Sequence, residues 1–187
     1  MLIIFDNLRE KTVSTSYLYR GKIINVRQDQ VKDALGKKAF REVVEHPGAV
    51  AILAVNNDEE AILVYQHRQP AGEVLLEIPA GKLEADEEPL ECARRELVEE
   101  TGLKAGKWQE LSCFYTSPGY CDEKIYLFLA EELSKGESTT SDPEENIREE
   151  AISLTEAGKM IADGRIKDGK TIIALQYAML QKNILTD

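Results

Sequence analysis

Apolar positions fall in two different rhythms along this chain. Over residues 49–55 and 61–65 they are nearly continuous, the pattern of strands covered on both faces. A shorter apolar run follows at 75–78, and Pro79-Ala80-Gly81 breaks it. The rhythm then changes. Leu90, Ala93 and Leu97 recur at helical spacing and predict a stripe facing a core. Asp86 and Glu87 followed by Pro89 give a start signal, and Gly102 stands where a helix ends in the left-handed conformation. A helix over 88–101 is therefore expected. Further strands are predicted at 111–115, 125–130 and 147–154, and further helices at 155–162 and 170–181.

The first 45 residues read differently. Short strands are expected at 17–19, 23–26 and 41–45, with turns at Arg20-Gly21-Lys22 and Gly36-Lys37-Lys38. His46-Pro47-Gly48 ends the last of them. So short a segment does not supply a core of its own. The expectation is an antiparallel β extension, residues 1–46, that packs on the main domain, residues 47–187, or on a second subunit. The polar, acidic stretch 134–145 is expected to be a loop.

With 187 residues, 43% apolar, the chain has enough material for a globular core. Its net charge of −11 repels nucleic acid backbones and anionic membrane surfaces, so neither is an expected partner. The apolar run Leu2-Ile3-Ile4-Phe5 is too short for a signal peptide or a membrane span, and the expected compartment is the cytoplasm. Cys92, Cys113 and Cys121 lack metal-site spacing and are read as reduced thiols.

The candidate chemistry lies on the predicted helix. The chain reads Gly81-x5-Glu87-x7-Arg95-Glu96-Leu97-x-Glu99-Glu100-x-Gly102-Leu103. Glu96 and Glu100, four apart, share a helix face, and Glu99 is three from Glu96. All three sit in the last turns, where the helix dipole disfavours anions. A hard dication relieves that conflict. Oxygen-only ligands point to Mg²⁺, with Mn²⁺ as the alternative. Arg95 is placed to pair with Glu99 and orient it. Glu87 either contacts a metal through water or serves the helix structurally.

This spacing is the Nudix box, and the chain resembles the Nudix hydrolases. The resemblance implies an α/β/α sandwich with a mixed sheet. It also implies Glu96 and Glu100 as metal ligands, Glu99 close by, and a further oxygen from the Ala80 carbonyl. A metal held there serves hydrolysis of a pyrophosphate, with a carboxylate outside the helix as general base.

Pro118, sixteen residues after Gly102 in Ser117-Pro118-Gly119, resembles the ADP-ribose pyrophosphatase group within the family. Glu123 follows where that group contacts substrate. Leu76-Glu77-Ile78-Pro79-Ala80-Gly81 and Asp168-Gly169-Lys170-Thr171 also look like that group. The resemblance implies substrate contacts from Arg41, Arg68, Pro118, Gly119 and Glu123. It matches the loop Asp142-Pro143-Glu144-Glu145-Asn146 to the one supplying the base and one more ligand, with Glu145 as ligand and Glu144 as the next candidate for base. One position departs from the group. Lys22 stands where the best-known bacterial members carry a ring that stacks on adenine, so either another ring, such as Tyr19, stacks instead or the base preference differs.

The activity implied is Mg²⁺-dependent hydrolysis of ADP-ribose to AMP and ribose 5-phosphate, by a homodimer whose N-terminal sheets help build the partner's site. The alternatives are another nucleoside diphosphate sugar, such as GDP-mannose, or a non-catalytic Nudix module that binds a nucleotide.

Overall fold

A computed structural model describes residues 8–136 and 148–181. The described residues form two compact units, one within 1–48 and 115–124, the other within 49–114 and 125–187.

In the larger unit, the apolar runs form the middle of a mixed sheet. Its strands, numbered along the chain from the three of the smaller unit, are β4 (Ala49–Val55), β5 (Glu60–Arg68), β6 (Glu73–Glu77), β7 (Ala80–Lys82), β8 (Leu103–Tyr115), β9 (Lys124–Lys135) and β10 (Arg148–Ser153). The order is β10-β5-β4-β9-β8, with β6 on β5 and β7 on β4. β4 runs parallel to β9 and antiparallel to β5 and β7.

The continuous hydrophobicity of β4 is explained by what covers each face. Ala51, Leu53 and Val55 join a core built with α2 (Leu154–Ala162) and α3 (Gly169–Gln181). Val50, Ile52 and Ala54 join another built with Cys92, Ala93 and Leu97 of α1 (Pro89–Thr101). Alternate side chains point to opposite faces, so the unit is an α/β/α sandwich. Leu97 is fully buried, and its burial contributes about 1.5–3 kcal/mol.

α1 matches the expected helix. Pro89 occupies its first turn, and Gly102 ends it at φ 65° while donating its N–H to the Val98 carbonyl. The preceding cap is Glu88, whose side chain makes no capping hydrogen bond. The chain then enters β8 at once. That strand begins at Leu103, eight residues earlier than the apolar pattern suggests, because none of its side chains is fully buried. Likewise β9 continues to Lys135, into the stretch expected to be loop.

In the smaller unit, β1 (Lys11–Arg20), β2 (Asn25–Lys32) and β3 (Lys38–Glu45) form an antiparallel sheet. Ile23 and Ile24, expected in a strand, lie in the connection before β2, where the Gly21 N–H donates to the Ile24 carbonyl. The segment 115–124 is tied to β3. The Val44 N–H donates to the Tyr120 carbonyl at 2.7 Å, and the Asp122 N–H donates to that of Val44 at 3.1 Å.

Candidate active site

Arg95 organises the acidic face of α1. Its Nε and Nη2 donate to the two oxygens of Glu87 at 2.9 and 3.0 Å. Nη1 reaches Glu96 at 2.7 Å and Glu99 at 3.0 Å. The expected pairing with Glu99 is therefore present, as one branch of a larger set. Glu87 is engaged through both oxygens. It also accepts from the Glu84 backbone N–H at 3.0 Å, which ties the loop before α1 to the helix. The Arg95 guanidinium holds the Glu87 carboxyl at about 2, well below its usual range.

Ala80 and Gly81 meet α1 from the sheet. The Ala80 N–H donates to Glu100 Oε2 at 3.1 Å. A Cβ on Gly81 would collide with the Glu96 carboxylate, so a side chain at this position would displace that carboxylate from where it now lies. Cys92 lies beneath. Burial pushes its thiol up to about 12, and it is inert as a nucleophile.

Metal fit can be tested on this geometry. Among the described residues, no three side chains of His, Cys, Asp or Glu converge as a ready cation cage. Glu96 and Glu99 are turned to Arg95, and Glu100 to the Ala80 N–H. The donors are nonetheless all oxygen, lie on one helix face, and border a cradle kept open by Gly81. That chemistry suits a hard divalent cation.

Other expected site residues are distributed as follows. Arg68 ends β5 and donates from Nε and Nη2 to both oxygens of Glu77, at 2.9 and 2.8 Å. Arg41 is exposed on β3 and held by Glu10. Pro118 and Gly119 form an exposed turn in the smaller unit. Glu123 accepts from the Thr116 hydroxyl at 2.6 Å and lies 3.5 Å from His46 Nδ1. Glu144 and Glu145 lie outside the described residues. The structure thus brings Ala80, Arg95, Glu96, Glu99 and Glu100 together in the larger unit, while Arg41, Pro118, Gly119 and Glu123 belong to the smaller one.

A second polar cluster was not foreseen as a contact. Glu77 is 1% exposed and is bonded by Lys170 as well as by Arg68. Burial alone raises its carboxyl pKa, but the two cations hold it below the usual range. Lys170 Nζ also lies 3.0 Å from Asp168. A charged residue inside the apolar run 75–78 was the available signal for a buried ion pair.

Family models match this arrangement. Residues 45–175 match the NUDIX domain, and residues 10–44 match the nucleoside diphosphate sugar hydrolase N-terminal domain. The chain belongs to the Nudix family. An ADP-ribose pyrophosphatase of Bacillus subtilis (strain 168) is 43% identical, covering 94% of this chain and 96% of its own. A methanol dehydrogenase activator of Bacillus methanolicus is 42% identical over 92% and 94%. A GDP-mannose pyrophosphatase of Yersinia enterocolitica is 36% identical over 96% and 97%. A solved ADP compounds hydrolase shares the Nudix fold at a TM-score of 0.82 and 20% identity, over 92% and 94%. Among the described residues, no helix is long and apolar enough to cross a membrane.

Proposed function

We propose that this protein is a divalent-cation-dependent pyrophosphatase of nucleoside diphosphate sugars, with ADP-ribose as substrate and AMP and ribose 5-phosphate as products. One observation carries the reading. A complete carboxylate face on α1, with Gly81 and Ala80 against it, sits in a chain that is 43% identical to an ADP-ribose pyrophosphatase over 94% of its length.

Glu96, Glu99, Glu100 and the Ala80 carbonyl are the groups that hold the cation, and Mg²⁺ is its proposed identity. When bound, the cation neutralises charge developing on the diphosphate and lowers the pKa of the attacking water. Arg95 holds Glu96 and Glu99 by Nη1 while Glu87 fixes its other edge. Glu145 adds a ligand and Glu144 accepts the proton of the attacking water. Arg41 and Arg68 take the phosphates or the base, since a guanidinium fork suits both. In Arg68, Glu77 occupies Nε and Nη2, so its contact with substrate comes from the Nη1 side. Pro118, Gly119 and Glu123 line the substrate loop. Residues 1–46 serve as a dimerisation extension to the hydrolase domain 47–187, in a cytoplasmic homodimer.

GDP-mannose is the second reading. It is favoured by the GDP-mannose pyrophosphatase relative and by Lys22 in place of a stacking ring. The deciding experiment measures phosphatase-coupled phosphate release from ADP-ribose, GDP-mannose and ADP-glucose with Mg²⁺, and again after chelation. A kcat/KM for ADP-ribose at least about tenfold above the others, about 1.4 kcal/mol in transition-state binding, is expected. Chelation should abolish turnover of all three. A preference for GDP-mannose overturns the substrate and directs attention to Lys22.

A further inference from the structure

The Glu77 cluster joins the start of α3 to the segment that delivers Ala80 and Gly81. Thr171 is fully buried. Its hydroxyl donates to Asp168 Oδ2 at 2.6 Å and accepts the Ile78 backbone N–H at 2.9 Å. Asp168 Oδ2 also accepts the Thr171 N–H at 3.0 Å, so the same carboxylate starts the helix and aims the hydroxyl. One residue earlier along the strand, Lys170 and Arg68 grip Glu77. One residue later, the Pro79 carbonyl accepts the Ile52 N–H at 2.8 Å. Ala80 then reaches Glu100, and Gly81 abuts Glu96. Every residue from Glu77 to Gly81 thus has a named contact. That of Ile78 comes from the first turn of α3, and Glu77 is shared between that turn and Arg68 of β5.

We infer that Thr171 and Lys170 are positioning residues for the cation site, setting the register in which Ala80 and Gly81 meet Glu96 and Glu100. The inference rests on the reading of that face as a cation site. Residues that orient metal ligands from behind commonly cost 10–100-fold in affinity or activity when changed. Thr171 has the geometry for this, because its loss leaves the Ile78 N–H buried without an acceptor.

The test uses full-length protein with Thr171→Val, Thr171→Ser and Lys170→Met. Direct Mn²⁺ binding is followed by the electron paramagnetic resonance of free Mn²⁺, without substrate. Metal-free Tm, kcat and KM are measured beside it. Thr171→Val is expected to weaken Mn²⁺ binding roughly 10–100-fold and lower kcat comparably, with KM for ADP-ribose little changed. Thr171→Ser, which keeps the hydroxyl, should restore both. A lower Tm with wild-type Mn²⁺ affinity would reduce Thr171 to a structural role and overturn the inference. If Thr171→Val does not fold, Lys170→Met decides by the same Mn²⁺ readout. Wild type that binds Mn²⁺ but hydrolyses neither ADP-ribose nor GDP-mannose defeats the proposed activity, yet the variants' affinities still decide the positioning role. Wild type that binds no Mn²⁺ defeats both.

Discussion

Two acidic clusters lie in the same unit and are built on opposite principles. Around the buried Glu77, two carboxylates and two cations balance: Glu77 and Asp168 against Arg68 and Lys170. On α1 and the loop before it, Glu87, Glu96 and Glu99 all bond to the Arg95 guanidinium, and Glu100 follows Glu99 in the helix. A buried balanced cluster satisfies itself and fixes geometry. An acid-rich, half-exposed one carries repulsion that a bound cation relieves, and that is where function is expected. Their fields are linked. Glu77, by its hydrogen bond, does most to raise the Arg68 pKa above its usual value, burial opposes it, and Glu100 and Asp168 contribute more weakly through charge.

The sharpest way to break this contrast is to remove one carboxylate from each side. Glu96→Gln or Glu100→Gln should lower kcat on the order of 10²–10³-fold, the scale of losing an electrostatic contact to the transition state. The metal-free Tm should stay level or rise slightly, since a repelling charge has gone. A metal-free variant that melts well below wild type would put Glu96 or Glu100 in the same structural category as Glu77.

Glu77→Gln should do the reverse in stability. It leaves two cations facing a buried amide and should cost about 3–5 kcal/mol, read from chemical denaturation. Replacing the cluster as a whole with apolar side chains is a milder change by the same reasoning. An unchanged midpoint for Glu77→Gln would remove the distinction between the clusters.

The smallest effect concerns acid. Glu87 is held at about 2 in the folded chain, against an ordinary 4.5. A depressed carboxyl pKa means that its stabilisation is complete above the ordinary value and drains as pH falls from about 4.5 toward 2. Unfolding free energy measured across that window should decline, and Glu87→Gln should flatten part of the slope. The same slope in both proteins would mean that Arg95 does not hold Glu87 as described.

Much of this was legible in one dimension. The period of Leu90, Ala93 and Leu97 and the stop at Gly102 specify α1 because a helix repeats locally and its ends need particular backbone conformations. The same local geometry sets Glu96, Glu99 and Glu100 on one face. Near-continuous apolar runs specify β4 and β5 because each strand has cover on both sides. Weakly covered strands left little trace, so the start of β8 and the end of β9 were missed.

What only tertiary structure decided is who meets whom across the chain. Glu87 and Arg95 are joined through a loop and a helix start, and no periodicity encodes that pairing. Glu77 and Lys170 are 93 residues apart, and Thr171 reaches Ile78 across the same gap. Both segments stood out in the sequence, but their contact depends on α3 packing on the sheet face that holds Leu53 and Leu63. Local propensity determines elements and the residues they display. Long-range packing alone determines which buried charges find partners, because desolvation makes an unpartnered one too costly to keep.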